Sequence, residues 1–103
     1  MTSPEVAAVS LNSYLLSEAV CSTAGVTWFA QKLIESSFIT RQVKNNIILT
    51  VGISDVDKCY RLLCAVETHV AANPAHFHTL VGILRSEAAL ICYAETITKS
   101  CGK

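Results

Sequence analysis

SDVDKCYRLLCAVETHVAANPAHFHTLVGIL, running from Ser54 to Leu84, decides how this chain is read. Val56, Cys59, Leu63, Val66 and Val70 recur at steps of three, four, three and four, which puts them on one stripe of an α-helix. Ser54 stands ahead of that stripe as an N-cap. Asp55 and Asp57 fall in the first turn, where carboxylates favour the positive end of the helix dipole. Asn73-Pro74 marks a corner, with Asn73 suited to cap and Pro74 to open a second helix. Phe77, Leu80, Val81 and Leu84 make its apolar stripe. The spacing therefore predicts one long helix, a corner and a helix folding back, with the rest of the chain packed onto the pair.

Outside that stretch the same periodicity continues. Ser3 caps and Pro4 and Glu5 open a first helix, with Ala8, Leu11, Leu15 and Ala19 along one side and Val9, Leu16 and Val20 beside them. Gly25 permits a turn, and Ser22 or Thr23 is placed to cap the next helix. That second helix is expected over about Val26 to Ser37, with Phe29, Leu33 and Ser36 in one line and Trp28, Lys32 and Glu35 near another. Phe38 and Ile39 close it and Thr40 caps a third. The mostly β-branched run Ile47–Ile53 also fits a strand. Val43, Ile47 and Val51 at steps of four favour a helix ended by Gly52, and a lone strand would find no partner. Ser86 caps a last helix carrying Glu87 at its start, Leu90, Ala94, Ile97 and Cys101 inward, and Lys99 and Lys103 at its end. The expectation is an all-α fold of six helices with short links. There is no internal repeat and no linker.

The 103 residues suit a single domain, large enough for a core without staples. Hydrophobic residues make up 51% and charged residues only 16%, below the usual ~25%, so some apolar surface is left for a partner. Eight basic and eight acidic residues cancel overall, and each half of the chain balances too. No basic stripe suits nucleic acid and no polybasic run suits anionic lipid. A net charge near zero also weakens self-repulsion. Cys21, Cys59, Cys64, Cys92 and Cys101 are odd in number and contain no CxxC pair. They read as reduced thiols acting as small apolar side chains, which places the chain in a reducing cytoplasm. MTSPEVAAV lacks the charged and apolar regions of a signal peptide, and no run approaches the ~20 apolar residues of a membrane span.

Catalytic signatures are absent: no Walker loop, GxGxxG, GxSxG, HExxH or EF-hand loop occurs. His76 and His78, two apart on a helix, point to different faces, and no i, i+4 pair of the kind helical zinc sites use is formed with His69. No metal and no cofactor is expected. A nucleophile from Cys59 or Cys64 with His69 is disfavoured, because an apolar stripe raises and quiets a thiol. Scattered carboxylates give no acid–base pair. The chain does not read as an enzyme.

What remains is the surface. Trp28, at the edge of its helix, is part of the core or an anchor for a partner, since tryptophan is enriched at binding hot spots. Lys32, Glu35, Arg41, Lys44, Asp55, Asp57, Lys58 and Arg61 cluster around the second to fourth helices. In the plainer reading they are solvated helix faces. In the sharper one, Arg41 and Lys44 form a positive patch and Asp55 and Asp57 a negative one, an arrangement that allows head-to-tail association.

LIESSFITRQVKNNI, SDVDKCYRLLCAVETHV and NPAHFHTLVGILRS together resemble the caspase-recruitment branch of the death-fold superfamily. The resemblance rests on Leu33-Ile34 leading through Phe38-Ile39 to Thr40, on Asp57-Lys58 followed by Leu62-Leu63, and on Phe77, Leu80, Ile83 and Leu84. It spans roughly residues 26–97, and the first helix fits by position only. It implies a six-helix antiparallel bundle of death-fold (Greek-key) type that associates with its own kind. It also implies an adaptor role in apoptotic or innate-immune signalling, often by filament assembly, and supplies no catalytic residue. Such domains commonly pair a basic surface on the first and fourth helices with an acidic one on the second and third. Here the first helix has no Lys or Arg, the third is basic and the fourth begins acidic. The polarity is reversed or another face is used. A second class of function also suits the composition: a small helical bundle holding a lipid or other apolar ligand.

Overall fold

The computed structural model describes residues 4–101. The expected cap at Ser3 and the terminal Lys103 lie outside them. Six α-helices and one 3-10 turn account for most of the described chain, and no strand occurs among the described residues. The helices are α1 Pro4–Thr23, α2 Val26–Glu35, α3 Arg41–Ile48, α4 Asp55–Ala72, α5 His76–Arg85 and α6 Ile91–Ser100, with the 3-10 turn Ala88–Leu90 leading into α6. They form a helical bundle with a Cα radius of gyration of 12.5 Å.

α4 is the hub. It packs most extensively on α1 and also meets α2, α3 and α5. Its stripe behaves as its spacing dictates: Cys59, Leu63, Val66 and Val70 are buried, Leu62 joins them, and Val56 is half-buried. The Ser54 hydroxyl accepts from the Asp57 N–H at 3.1 Å and Thr40 accepts from the Val43 N–H at 3.2 Å, so the caps expected at these two positions are made. At the corner the expected opening of α5 is shifted: the Asn73 side chain accepts from the Ala75 N–H at 3.1 Å but does not cap α5, whose first residue is His76, so Pro74 precedes the helix rather than opening it.

Four more expectations need correcting. In α1 the Leu11 and Leu15 side is outward. The buried face runs through Val6, Val9, Ser13, Leu16 and Val20, with Ala8, Ser17 and Ala19 beside it. Two serines sit in the core because each hydroxyl is satisfied inside its own helix: Ser13 donates to the Val9 carbonyl and Ser17 to the Ser13 carbonyl, both at 2.7 Å. Ser22 does not cap α2, because its hydroxyl turns back to the Glu18 carbonyl at 2.9 Å, and Gly25, at φ 92, makes the corner alone. α3 stops at Ile48, so Val51 and Gly52 lie in the link to α4. The Lys58 ammonium donates to the Ile48 carbonyl at 2.8 Å and satisfies a group the helix end leaves open. Finally, Ser86 closes α5 by donating to the Ile83 carbonyl at 2.6 Å; α6 starts after the 3-10 turn, with Leu90, Ala94, Ile97 and Cys101 buried.

Candidate functional site

The α2–α3 corner builds the first feature. α2 ends at Glu35, Ser37 takes a left-handed φ of 63, and the Phe38 N–H returns to the Leu33 carbonyl at 2.9 Å. That reversal turns Phe38 and Ile39 inward, where both are buried. The Phe38 ring meets His69 edge-on at 5.9 Å and His76 edge-on at 5.7 Å. A His76 ring nitrogen lies 3.2 Å from the His69 carbonyl oxygen. The corner, the end of α4 and the start of α5 are thereby tied together. Beside them opens a mainly apolar groove of about 490 Å³, walled by Ile34, Phe38, Ile39, Val43, Ala65 and His69.

The second feature is apolar surface outside the core. Leu11 is 81% exposed, Tyr14 63% and Leu15 43%, all on the outer face of α1. In the link after α3, Leu49 is 74% and Val51 91% exposed. Neither place was distinguishable in the sequence, where both merged with the helical stripes.

The charged candidates divide between the two ends of α3. Arg41 and Lys44 belong to its first turn, beside the groove; Arg41 is exposed and Lys44 half-buried. Asp55 and Asp57, both exposed, open α4 beyond its other end. Lys58 is half-buried, and its ammonium is held by the Ile48 carbonyl. Arg61 is exposed one turn on from Asp57. Lys32 and Glu35 meet each other at 3.9 Å across an exposed i, i+3 step, a pair worth at most a few tenths of a kcal/mol. Trp28 is half-buried and packs on the core edge. The structure thus brings Arg41 and Lys44 to one site and Asp55, Asp57 and Arg61 to another, and leaves Trp28, Lys32 and Glu35 on α2.

Among the described residues no group of three or more His, Cys, Asp or Glu side chains could hold a metal ion, and no helix is long and apolar enough to cross a membrane. Cys64, expected in or beside an apolar stripe, is exposed. Partial burial and the Glu67 carboxylate still push its thiol up. Cys59 is buried, and its thiol is pushed up to about 12 from the ordinary 9.0 by that burial, then by Cys21 and Asp55. Because the folded state holds this proton after the unfolded chain has lost it, the contribution to stability is full below pH 9.0 and falls as pH rises toward about 12. Urea unfolding at pH 10 is expected to show about 1 kcal/mol less stability than at pH 8 from this group. The same comparison in Cys59→Ala should lack that component, and equal alkaline losses in both chains would refute it.

Comparison with protein-family models, with curated proteins and with solved structures returns no match for this chain.

Proposed function

We propose that this chain is a protein–protein interaction module that associates with copies of itself or of like domains, in the manner of death-fold adaptors of the caspase-recruitment type, and relays an intracellular signal through that association. One observation carries the reading: large apolar side chains stay uncovered, and they group in two separate places, Leu11, Tyr14 and Leu15 on α1 and Leu49 and Val51 after α3, with Tyr60 and Ile91 exposed singly elsewhere, while the interior is filled by other residues. Each such side chain gains about 1.5–3 kcal/mol on full burial, which a contact with another protein would supply. The six helices, short links and balanced charge agree with a bundle of the death-fold class. In this reading the chain performs no catalysis, needs no cofactor and binds neither nucleic acid nor membrane.

Sedimentation velocity across a wide concentration range tests it. Association is expected at high micromolar concentration. Leu11→Glu and Val51→Glu are both exposed changes, and at least one should weaken the association tenfold or more at an unchanged melting temperature. A strict monomer at every concentration, with no partner domain bound, would overturn the proposal.

The groove favours a second reading, in which the bundle holds an apolar ligand between α2, α3 and α4. Native mass spectrometry separates the two, since a ligand carrier would leave the cell with a bound apolar compound.

A further inference from the structure

We infer that copies of the chain join head to tail along α3, the Leu49–Ile53 link of one copy seating in the groove at the opposite end of α3 in the next. This rests on the self-association reading and gives it a geometry. The groove flanks the start of α3, with Ile34, Phe38, Ile39 and Val43 as its apolar walls. The link comes after the end of the same helix and carries Leu49 and Val51, both mostly exposed. Gly52, at φ 87, turns the chain sharply back toward Ser54. The link is thus a short apolar projection, and a groove of about 490 Å³ has room for its two side chains.

Charge complements shape. Arg41 and Lys44 stand at the groove end, Asp55 and Asp57 at the link end. Among the described residues none of these four is in an ion pair; Lys32–Glu35 is the pair present. At the link end the Lys58 ammonium is turned onto the Ile48 carbonyl, so Arg61 is the exposed cation there, against two carboxylates. Seating the link would bring the Asp55 and Asp57 end of one copy toward Arg41 and Lys44 of the next. An eight-residue helix is about 12 Å long, so the two ends of one copy are kept apart and each serves a different neighbour. Two different surfaces meeting in this way repeat without limit unless the rotation closes a ring.

Two variants disable one end each, at surface positions. Val51→Glu damages the link and leaves the groove. Arg41→Glu with Lys44→Glu damages the groove end and leaves the link. Each alone is expected to associate at least tenfold more weakly than wild type, with circular dichroism showing an unchanged fold. Mixed one to one they should form a dimer that grows no further, because only one sound link and one sound groove remain. Wild-type assembly should also weaken as salt rises from 50 to 500 mM. Should wild type associate while both variants match it, or the mixture fail to pair, the geometry falls and self-association stands. A wild type that is monomeric throughout sinks both, and a monomer with an apolar compound bound would give the groove to a ligand instead. If Arg41→Glu with Lys44→Glu unfolds, Arg41→Glu alone replaces it.

Discussion

Leu63→Ala is expected to remove about 3 kcal/mol of stability. Leu63 lies at the middle of the α4 stripe, 1% exposed, in the helix that meets α1, α2, α3 and α5. Truncation loses the transfer free energy of the removed methyl groups. It also leaves a void that four helices cannot all close around. A domain of this size is commonly stable by only 5–15 kcal/mol, so a large part of the margin goes. The melting temperature should fall by roughly 12–24 °C, since each kcal/mol is worth about 4–8 °C in so small a domain. Val56→Ala on the same stripe is the control. Val56 is half-buried at the open end of the helix, and its truncation should cost under about 1 kcal/mol. Thermal and urea unfolding followed at 222 nm measure both. Equal effects at the two positions would show that α4 is not the hub.

Ser17→Leu should cost about 2–3 kcal/mol, whereas Ser17→Ala should cost under about 1 kcal/mol. Ser17 is fully buried on the inner face of α1, the helix that packs most closely on α4. A larger side chain there has to push the helices apart or leave its rotamer well. Removing the hydroxyl strands nothing, because its partner is the Ser13 carbonyl in the preceding turn, which keeps its helical N–H. Polarity alone would make Leu the welcome residue in a core. The opposite order, with Leu stabilising, would mean that α1 and α4 do not meet closely at Ser17.

These two positions also show how far the sequence can be read. α4 was legible because stripe, cap and acidic first turn agree at Ser54, Asp55 and Cys59–Val70, and the structure keeps all three. α1 was not, because apolar residues surround it on every side. A serine that folds its hydroxyl onto the preceding turn enters a core without any mark in the sequence, and Leu11 and Leu15 give no sign that they face outward. α3 ends at Ile48, short of the Gly52 that the spacing suggests: β-branched Ile47, Ile48 and Val51 continue a helical spacing past it, and what ends the helix includes a lysine ten positions on. The charged candidates were found as a cluster, but their separation to the two ends of α3 depends on α3 lying against α4. The meeting of Phe38 with His69 and His76 needs two corners to close and could not be seen at all.

α3 itself contains no fully buried residue, only Val43, Lys44, Ile47 and Ile48 half covered. Eight residues are too few to stay helical in water without support, so its docking on α4 holds it together. Whatever grips both ends of α3 therefore acts as a splint as well as a partner. Part of the gripping free energy goes into keeping the helix wound, and the first neighbour to bind makes the second one easier to hold.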